Sequence, residues 1–372
     1  MPIAPFKLER YFAEYEFKVK ILMSSSDCES LSMAELLQMG SPESLHLWNN
    51  LKLGYTEIPG HPALRVEAAR QYEKITPDNL VVAAPEEAIY IAMHTLLEPG
   101  DHVIVLSPAY QSLYEIAASI GCQVTHWSLH PTPDGWQVDL NQLAASITPQ
   151  TRLLVLNIPN NPTGFLPIRQ EFETIIELAR KHNLYIFCDE MYRLLEYNPE
   201  IRLPAMCDAY EKGISLSGLS KSLALPGLRI GWLATQMADL PEKWMAFKDY
   251  TTICNSAPSE ILGIIALQNK TSILKRNLDI ISTNLLLAEE FFSNHPAHFS
   301  WHRPIAGSIA FPEWTGEPPV EDFCQVVLNR YGMMIAPGNL FEYPGNYFRL
   351  GLGRRNFSQG IGNLQEYMQL IG

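Results

Sequence analysis

The sequence has few of the features that would place it at once in a specialised class of protein. Its six cysteines are scattered, and none of them has the spacing of a metal-binding pair, so no metal site is expected. Reduced thiols in a cytoplasm are the simplest interpretation. No apolar run is long enough to cross a bilayer, and the N-terminus carries no signal-peptide core, so no membrane association is expected.

Positive charge is also scarce. The chain has 27 lysines and arginines against 40 aspartates and glutamates, a formal net charge of -13. This excess of negative charge disfavours nucleic acids and anionic membranes as partners. No G-x-G-x-x-G follows a predicted strand, which argues against a dinucleotide-dependent dehydrogenase.

The apolar content is ample. With 372 residues, 47% of them hydrophobic, the chain can bury a large core. We expect a large domain over residues 45–270, and a small domain built from residues 1–44 together with residues 271–372.

One segment predicts the type of sheet. Arg152–Leu156 and Leu184–Cys188 are apolar enough for buried strands, and Arg169–His182 between them has helical periodicity. A strand, a helix and a strand of these lengths predict a right-handed βαβ unit and therefore a parallel sheet.

Polar side chains follow the predicted strands where these end. They are Tyr110, Asn161, Asp189 and Lys221. Since ligands of open α/β sheets bind at the carboxyl ends of the strands, we expect these four residues to lie at one site.

The two ends of the chain are less regular. Phe6–Lys20 is predicted to be helical. Residues 24–29, with the sequence SSSDCE, are predicted to form a polar loop. Phe299–Phe311 and Tyr347–Gly351 are predicted strands, which together with flanking helices indicate a smaller α+β domain.

Lys221 has the most informative surroundings. It lies in SLSGLSKSLALPGLRIGW, residues 215–232, among small and apolar side chains. A buried ammonium is costly, so such a lysine lowers its pKa, finds a partner or is modified, and an amine of lowered pKa suits Schiff-base chemistry. Arg229 nearby suggests an anionic cofactor such as a phosphate. The alternative is a lysine at the mouth of a buried strand.

Five motifs together carry a resemblance. They are NNPTG at 160–164, DEMY at 189–192, SK at 220–221, the arginine of GLRIG at 229 and FRL at 348–350. In this order the chain resembles the class I/II aminotransferases, pyridoxal-phosphate enzymes of the aspartate aminotransferase fold (fold type I). The resemblance implies an α/β large domain with a mostly parallel sheet covered by helices, and a smaller α+β domain. It also implies transfer of an amino group from an amino acid to a 2-oxo acid, with an internal aldimine on Lys221.

The resemblance assigns residues to the cofactor ring. Asp189 would pair with the pyridine nitrogen, while Asn161 and Tyr192 would hydrogen-bond the 3-oxygen, and Tyr110 would stack on the ring. Lys221, Asp189 and Tyr192 are the candidate catalytic residues. Structural alternatives remain for each: a helix N-cap for Asp189, a turn residue for Asn161, and packed aromatics for the tyrosines.

The cofactor phosphate is assigned to Arg229 and to a cup that departs from the family. Pro85 has no N–H to donate, so the backbone N–H groups of Glu86 and Glu87 are expected to serve, with the side chain of Glu86 turned aside. Ser217 would replace the hydroxyl residue that the family often has where this chain has Gly218.

A further phosphate contact is expected from a second subunit. Tyr55 matches a tyrosine that reaches the neighbouring subunit's phosphate in the family. The resemblance therefore implies a homodimer with shared active sites.

For the substrate, the resemblance implies that Arg349 binds the α-carboxylate, with Ser26 and Asn161 beside it. The substrate side chain stays open. Asp27 and Glu29 would suit a cationic side chain, if they are not simply solvated loop acids, while Tyr110 and Tyr343 would suit an apolar one.

Rival functions are limited. The same cofactor supports other outcomes, so a C–S β-lyase or a cyclase of this fold is the alternative. The serine run at residues 24–26 is similar to the corresponding stretch of cyclases of capreomycidine biosynthesis. A non-catalytic binding protein is disfavoured, because Lys221, Asp189 and Arg349 are all present.

Overall fold

The computed structural model describes residues 3–371. The helices are α1 Lys7–Tyr15, α2 Met33–Gln38, α3 Pro42–Asn49, α4 Pro62–Ala69, α5 Pro85–Leu96, α6 Ser112–Ile120, α7 Leu140–Ser146, α8 Arg169–Lys181, α9 Met206–Ala209, α10 Leu240–Lys248, α11 Ala257–Gln268, α12 Lys270–Asn294, α13 Val320–Tyr331 and α14 Phe357–Ile371. The strands are β1 Ile21–Leu22, β2 Leu80–Ala83, β3 His102–Ser107, β4 Gln123–Ser128, β5 His130–Thr132, β6 Gly135–Gln137, β7 Thr151–Asn157, β8 Tyr185–Asp189, β9 Gly213–Gly218, β10 Gly231–Thr235, β11 Phe299–Ser300, β12 Ile309–Ala310, β13 Glu313–Trp314, β14 Met333–Met334, β15 Ala336–Pro337 and β16 Phe348–Gly351. Among these residues, no helix is long and apolar enough to cross a membrane.

A seven-stranded sheet forms the centre of the molecule, in the order β2-β10-β9-β8-β7-β3-β4. Neighbouring strands are parallel except around β10, which runs antiparallel to both β2 and β9. The predicted βαβ unit is β7, α8 and β8, and its two strands pair directly. The prediction of a mostly parallel sheet is confirmed.

Both faces of this sheet are buried under helices. Successive residues of a strand point to opposite faces: Val103 and Val105 of β3 enter one hydrophobic cluster, Ile104 and Leu106 the other. Side chains of α5 and α6 complete the first cluster, and side chains of α8 complete the second. This double coverage explains why the strands are continuous apolar runs, and it confirms the predicted α/β class.

The N-terminal segment joins the C-terminal third of the chain. β1 pairs in parallel with β14, and the N–H of Met23 donates to the carbonyl of Met334 at 2.9 Å. A three-stranded antiparallel sheet, β12-β16-β15, lies in the same C-terminal third. These contacts fit a small domain made from both ends of the chain, but the boundaries at residues 44 and 270 stay predictions.

Two local predictions were wrong. Phe299–Phe311 is not one strand, because Pro304 and Gly307, whose φ is +82°, interrupt it between the short strands β11 and β12. The first helix ends at Tyr15, not at residue 20.

The polar loop predicted at residues 24–29 is a loop in the structure, and most of it is buried. It packs on two glycines of the C-terminal segment. A Cβ built on Gly351 or Gly353 would overlap the carbonyl oxygen of Ser25 or of Asp27. The absence of side chains there allows the two backbones to touch.

Candidate active site

A cavity of about 390 Å³ opens at the carboxyl ends of β8 and β9. This is the sheet edge at which the sequence predicted a ligand site. Its lining includes Leu8, Glu9, Phe12, Glu16, Ser25, Ser26, Asp27, Pro85, Glu86, Ile89, Tyr110, Asn161, Asp189, Met191, Tyr192, Leu216, Ser220, Lys221, Pro226, Arg229 and Arg349.

Lys221 follows β9 by three residues and enters this cavity. Its Nζ donates to Ser26 Oγ at 2.8 Å. Burial lowers the pKa of the ammonium, partly opposed by the charge of Asp27 and reinforced by that of Arg349. No carboxylate of residues 3–371 forms an ion pair with it. The neutral, nucleophilic amine is therefore more accessible than in a solvated lysine.

Asp189 is held at the end of β8 by backbone contacts. It lies opposite Asn157 in the register of β7 and β8, and Asn157 Nδ2 donates to its carbonyl at 3.0 Å. One carboxylate oxygen accepts from the N–H of Met191 at 3.0 Å. Burial raises the pKa of Asp189 to about 6, although this hydrogen bond and Lys221 act in the opposite direction. A cationic partner would hold it ionised.

Arg349 of β16 is buried, with 2% of its surface exposed. Its Nε donates to the carbonyl of Ser24 at 3.0 Å and its Nη1 to Asn161 Oδ1 at 3.2 Å. The guanidinium also lies over the rings of Phe12 and Phe341, 5.4 and 5.2 Å from their centroids. Within residues 3–371, no carboxylate pairs with it. A buried cation held only by neutral groups is a site for an anion.

Two buried hydroxyls in the lining have no hydrogen-bond partner within the described chain, those of Tyr192 and Ser220. Burial raises the pKa of Tyr192, and the charge of Arg349 opposes that shift. Buried polar groups are normally satisfied, so these two indicate that the cavity holds a ligand.

The N-terminus of α5 supplies another side of the cavity. Its first N–H groups have no acceptor within the helix, and Arg229 lies in the same lining. The side chain of Glu86, expected to turn aside, also lines the cavity and accepts from Ser112 Oγ at 3.3 Å. Burial raises the pKa of Glu86 to about 7, which reduces its negative charge at neutral pH.

Three residues assigned to the cofactor lie outside this lining. The carboxylate of Glu87 accepts from Lys248, Thr251 and Thr252 instead. Ser217 is adjacent in β9 to the lining residue Leu216, so its side chain points to the opposite face of the sheet.

Tyr55 is the third. It is 90% exposed and lines a different surface depression, between residues 53–55 and 254–258. A single chain therefore does not bring Tyr55 to the cavity.

The N-terminal segment forms a wall that the sequence did not foresee. Tyr110, predicted to stack on the ring, donates through its hydroxyl to Glu9 Oε1 at 2.7 Å. Glu9 and Phe12 lie on α1 and Glu16 is its C-cap, and the pattern that predicted this helix said nothing of what the helix covers. Ser220 was missed as well, although it stands beside Lys221.

The two acids considered for substrate recognition differ. Asp27 lies in the cavity and is 8% exposed, and Arg354 Nη2 contacts its oxygens at 3.0 and 3.2 Å. It also accepts from the hydroxyl of Ser25. Glu29 is partly buried and does not line the cavity. Neither is a freely solvated loop acid.

A family model described as aminotransferase class I and II matches residues 20–356. The chain belongs to this family. The aminotransferase is 28% identical to the capreomycidine synthase of Streptomyces vinaceus, over 98% of this chain and 94% of that one. It is 27% identical to a putative aminotransferase of Bacillus subtilis, over 89% and 88% of the two chains.

A solved structure is similar over the whole length. The crystal structure of a PLP-dependent aminotransferase from Streptococcus suis is 31% identical, covers 100% of this chain and 99% of that one, and superimposes with a TM-score of 0.93. The predictions of the family, of fold type I, of a PLP-dependent transferase and of pyridoxal phosphate as cofactor are confirmed.

Proposed function

We propose that Lys221, Asp189 and Arg349 carry the aminotransferase reaction in this chain. The supporting observation is that one cavity contains a lysine of lowered pKa, a buried carboxylate and a buried arginine without an acidic partner. Amino acids and 2-oxo acids, the substrates that fit this family, both present a carboxylate to such an arginine.

The lining fits pyridoxal phosphate. Asp189 would hold the pyridine nitrogen, Asn161 and Tyr192 the 3-oxygen, and the ring of Tyr110 would lie beside the cofactor. The unpartnered hydroxyl of Tyr192 is a ready donor for such an oxygen. When bound, the cofactor supplies an electron sink for the carbanion formed at the substrate's Cα.

The phosphate would lie between Arg229 and the N-terminus of α5, where backbone N–H groups of Glu86 and Glu87 point. The unpartnered hydroxyl of Ser220 is a better placed donor than Ser217, which lies outside the lining. Glu86 fits this group poorly, because an ionised carboxylate repels a phosphate. Its raised pKa lessens that repulsion.

Lys221 would perform the proton transfer. Its neutral amine would take the proton from the substrate's Cα and hold it at Nζ. Burial, which lowers the pKa of Lys221, keeps the amine available for this step. Its hydrogen bond to Ser26 Oγ gives the free amine a defined position on the substrate side of the cavity.

Arg349 orients the substrate. Its Nε and Nη1 are already bound to Ser24 and Asn161, so the guanidinium is fixed before the substrate arrives. A fixed fork loses little entropy on binding a carboxylate.

We also propose a homodimer, the arrangement typical of this family, in which the exposed Tyr55 reaches the phosphate site of the other subunit. Its 90% exposure in a single chain supports this role. A cytoplasmic location is proposed from the six cysteines, all of them free in the structure.

A second candidate reaction is a cyclisation by the same machinery, and the full-length likeness to a protein named capreomycidine synthase favours it over β-elimination. The residues around the cofactor serve both reactions, so only the product distinguishes them.

Lys221→Ala tests the proposal. Borohydride reduction of the purified wild-type protein should fix the cofactor on Lys221, detectable by peptide mass, and amino acids added without an oxo acid should release the matching 2-oxo acid. Lys221→Ala should lose both the label and the release, while the exposed Lys243→Ala should keep both. Label on another lysine would overturn the assignment, and a cyclised product would establish the second candidate.

A further inference from the structure

The N-terminal wall gives the cavity a second charged end. Leu8, Phe12 and Glu16 follow one another at intervals of four residues along α1 and its C-cap, and Glu9 is next to Leu8 in the sequence. One face of this helix therefore lies over the cavity. With Asp27, the wall brings three carboxylates into the space that also holds Lys221 and Arg349.

Two of these carboxylates already have partners. Asp27 is paired with Arg354 and hydrogen-bonded to Ser25. Glu9 accepts from the hydroxyl of Tyr110, a neutral group that leaves its charge unbalanced.

Glu16 has no partner at all within residues 3–371: no side-chain hydrogen bond and no ion pair involves its carboxylate. It is the C-cap of α1, where the helix dipole disfavours an anion. Burial, and then the charges of Asp27 and Glu9, raise its pKa, while the charges of Arg354 and Lys221 act in the opposite direction. A partly buried acid in so unfavourable a place gains most from a cation that enters the cavity.

The cationic side chains of the cavity are already assigned to other groups. Arg229 and Lys221 belong to the proposed cofactor site, and Arg349 to the α-carboxylate. The unpartnered buried hydroxyls of Tyr192 and Ser220 indicate independently that a ligand fills this space. On the α1 side, the lining includes the apolar Leu8 and Phe12 and the acids Glu9 and Glu16.

The spacing suits an amino acid. The Arg349 guanidinium lies over the ring of Phe12, and Glu16, the C-cap of α1, is four residues further along, about 6 Å along the axis. A substrate whose carboxylate is at Arg349 can therefore reach Glu16 with the end of a long side chain.

We propose that the substrate is an amino acid with a cationic side chain, and that Glu16 and Glu9 of α1 bind that cation. The inference rests on the proposed function for the position of the carboxylate. Glu9 and Glu16 are specificity residues, because they touch the substrate far from the reacting carbon.

Binding of non-reacting ligands to the holoenzyme tests this without turnover. 5-Guanidinopentanoate is arginine without its α-amino group, and 5-ureidopentanoate is its uncharged analogue of nearly the same shape. By calorimetry, the guanidino acid should bind about 10- to 100-fold more tightly, the range expected for hydrogen bonds to a charged group. 6-Aminohexanoate, compared with hexanoate, shows whether an ammonium is accepted as well.

Variants assign the effect to α1. Glu16→Gln should reduce the guanidino preference about tenfold and leave the affinity for the ureido acid unchanged. Glu9→Gln should have a smaller effect, because Tyr110 already binds this residue, and the double variant should show no preference. Glu14→Gln, on the exposed part of the same helix, is the matched control and should behave as wild type.

Kinetics give a second reading. The ratio of kcat/KM for L-arginine to that for L-citrulline should fall in Glu16→Gln by the same factor as the binding ratio, mainly through KM. Equal affinities of the wild type for both ligands, or a Glu16→Gln variant with unchanged preference, would overturn the inference. Selective binding without release of any oxo acid would instead leave it standing and remove the proposed function.

Discussion

The floor of the cavity (Asn161, Asp189, Tyr192, Ser220 and Lys221) and its N-terminal wall (Glu9, Phe12, Glu16, Ser26 and Asp27) are built in different ways. Floor residues follow strands of one sheet, so the register of β7, β8 and β9 sets their relative positions. Wall residues come from a nine-residue helix and an irregular loop that are held by distant parts of the chain.

The difference corresponds to a division of labour. Chemistry common to a whole family needs groups held by a rigid scaffold, and a central sheet buried on both faces is such a scaffold. The wall is attached through hydrogen bonds and close backbone packing, and it can vary without disturbing the sheet. The proposed function therefore places the chemistry shared by the family on the floor, and the proposed specificity residues lie on the wall.

Substitution of Arg349 is expected to have the largest effect, because this residue joins the two regions through Asn161 of the floor and Ser24 beside the wall. Arg349→Ala should raise KM for amino-acid substrates by about 30- to 5000-fold, equivalent to roughly 2–5 kcal/mol for truncating one partner of a buried charge pair. Steady-state kinetics with a saturating oxo acid measure it.

The control for that experiment is Arg303→Ala, which removes an exposed arginine paired with Glu289. It should leave KM unchanged. If Arg349→Ala also left KM unchanged, the carboxylate would bind elsewhere in the cavity.

A smaller effect is expected where the wall rests on the C-terminal segment. In Gly351→Ala the new Cβ would overlap the carbonyl of Ser25, so the loop or β16 must shift. Overpacking of this kind costs about 1–3 kcal/mol of unfolding free energy, measurable by urea denaturation. The substrate KM should rise as well, since Ser24 and Ser26 belong to the same loop.

Gly362→Ala is the matched control, since nothing lies within 4 Å of its Cβ position in α14. There alanine should stabilise the protein by roughly 0.5–1 kcal/mol through the lower entropy of the unfolded chain. Equal destabilisation by both substitutions would show that the close contact at Gly351 does not hold the wall.

The smallest effect concerns Glu86, which lies at the boundary of the two regions. Burial raises its pKa to about 7, above the ordinary 4.5, so the folded state prefers the protonated form. Stability is then lost as the pH rises from about 4.5 to about 7. In cofactor-free protein, Glu86→Gln should raise Tm relative to wild type at pH 8 and change it little at pH 4.5.

Glu177→Gln, an exposed glutamate of α8, serves as the reference for that measurement and should shift Tm equally little at both values. A Glu86→Gln variant whose Tm difference from wild type does not depend on pH would contradict the raised pKa.

Most of the floor, though not Ser220, could be predicted from the sequence because its signals are local. Apolar runs identify β7 and β8, and the residue that follows such a strand must lie at the sheet edge, as Asp189 and Lys221 do. Ser217 shows the limit of this reasoning, since one position along a strand places a side chain on the opposite face.

The wall was beyond the same reasoning. α1 was expected from its periodicity, and the error in its predicted end mattered little. Nothing in residues 7–15 indicates that the helix covers a cavity lined by Lys221 and Arg349, which come more than 200 residues later in the chain. The loop at residues 24–29 was predicted as a polar loop, but nothing in its sequence indicated that Gly351, Gly353 and Arg354 bury it.

The sequence by itself thus predicted the α/β scaffold, because periodicity and strand ends are properties of contiguous residues. Its motifs predicted the family by resemblance, together with most of the groups that line the floor of the cavity. Only the tertiary structure decided that Glu86 faces the cavity, that Ser220 and not Ser217 lines it, and that acids of α1 stand opposite Arg349. Those relations depend on pairs far apart in the chain, such as Ser24 and Arg349. Their contact follows from packing of the whole molecule, for which short sequence patterns carry no signal.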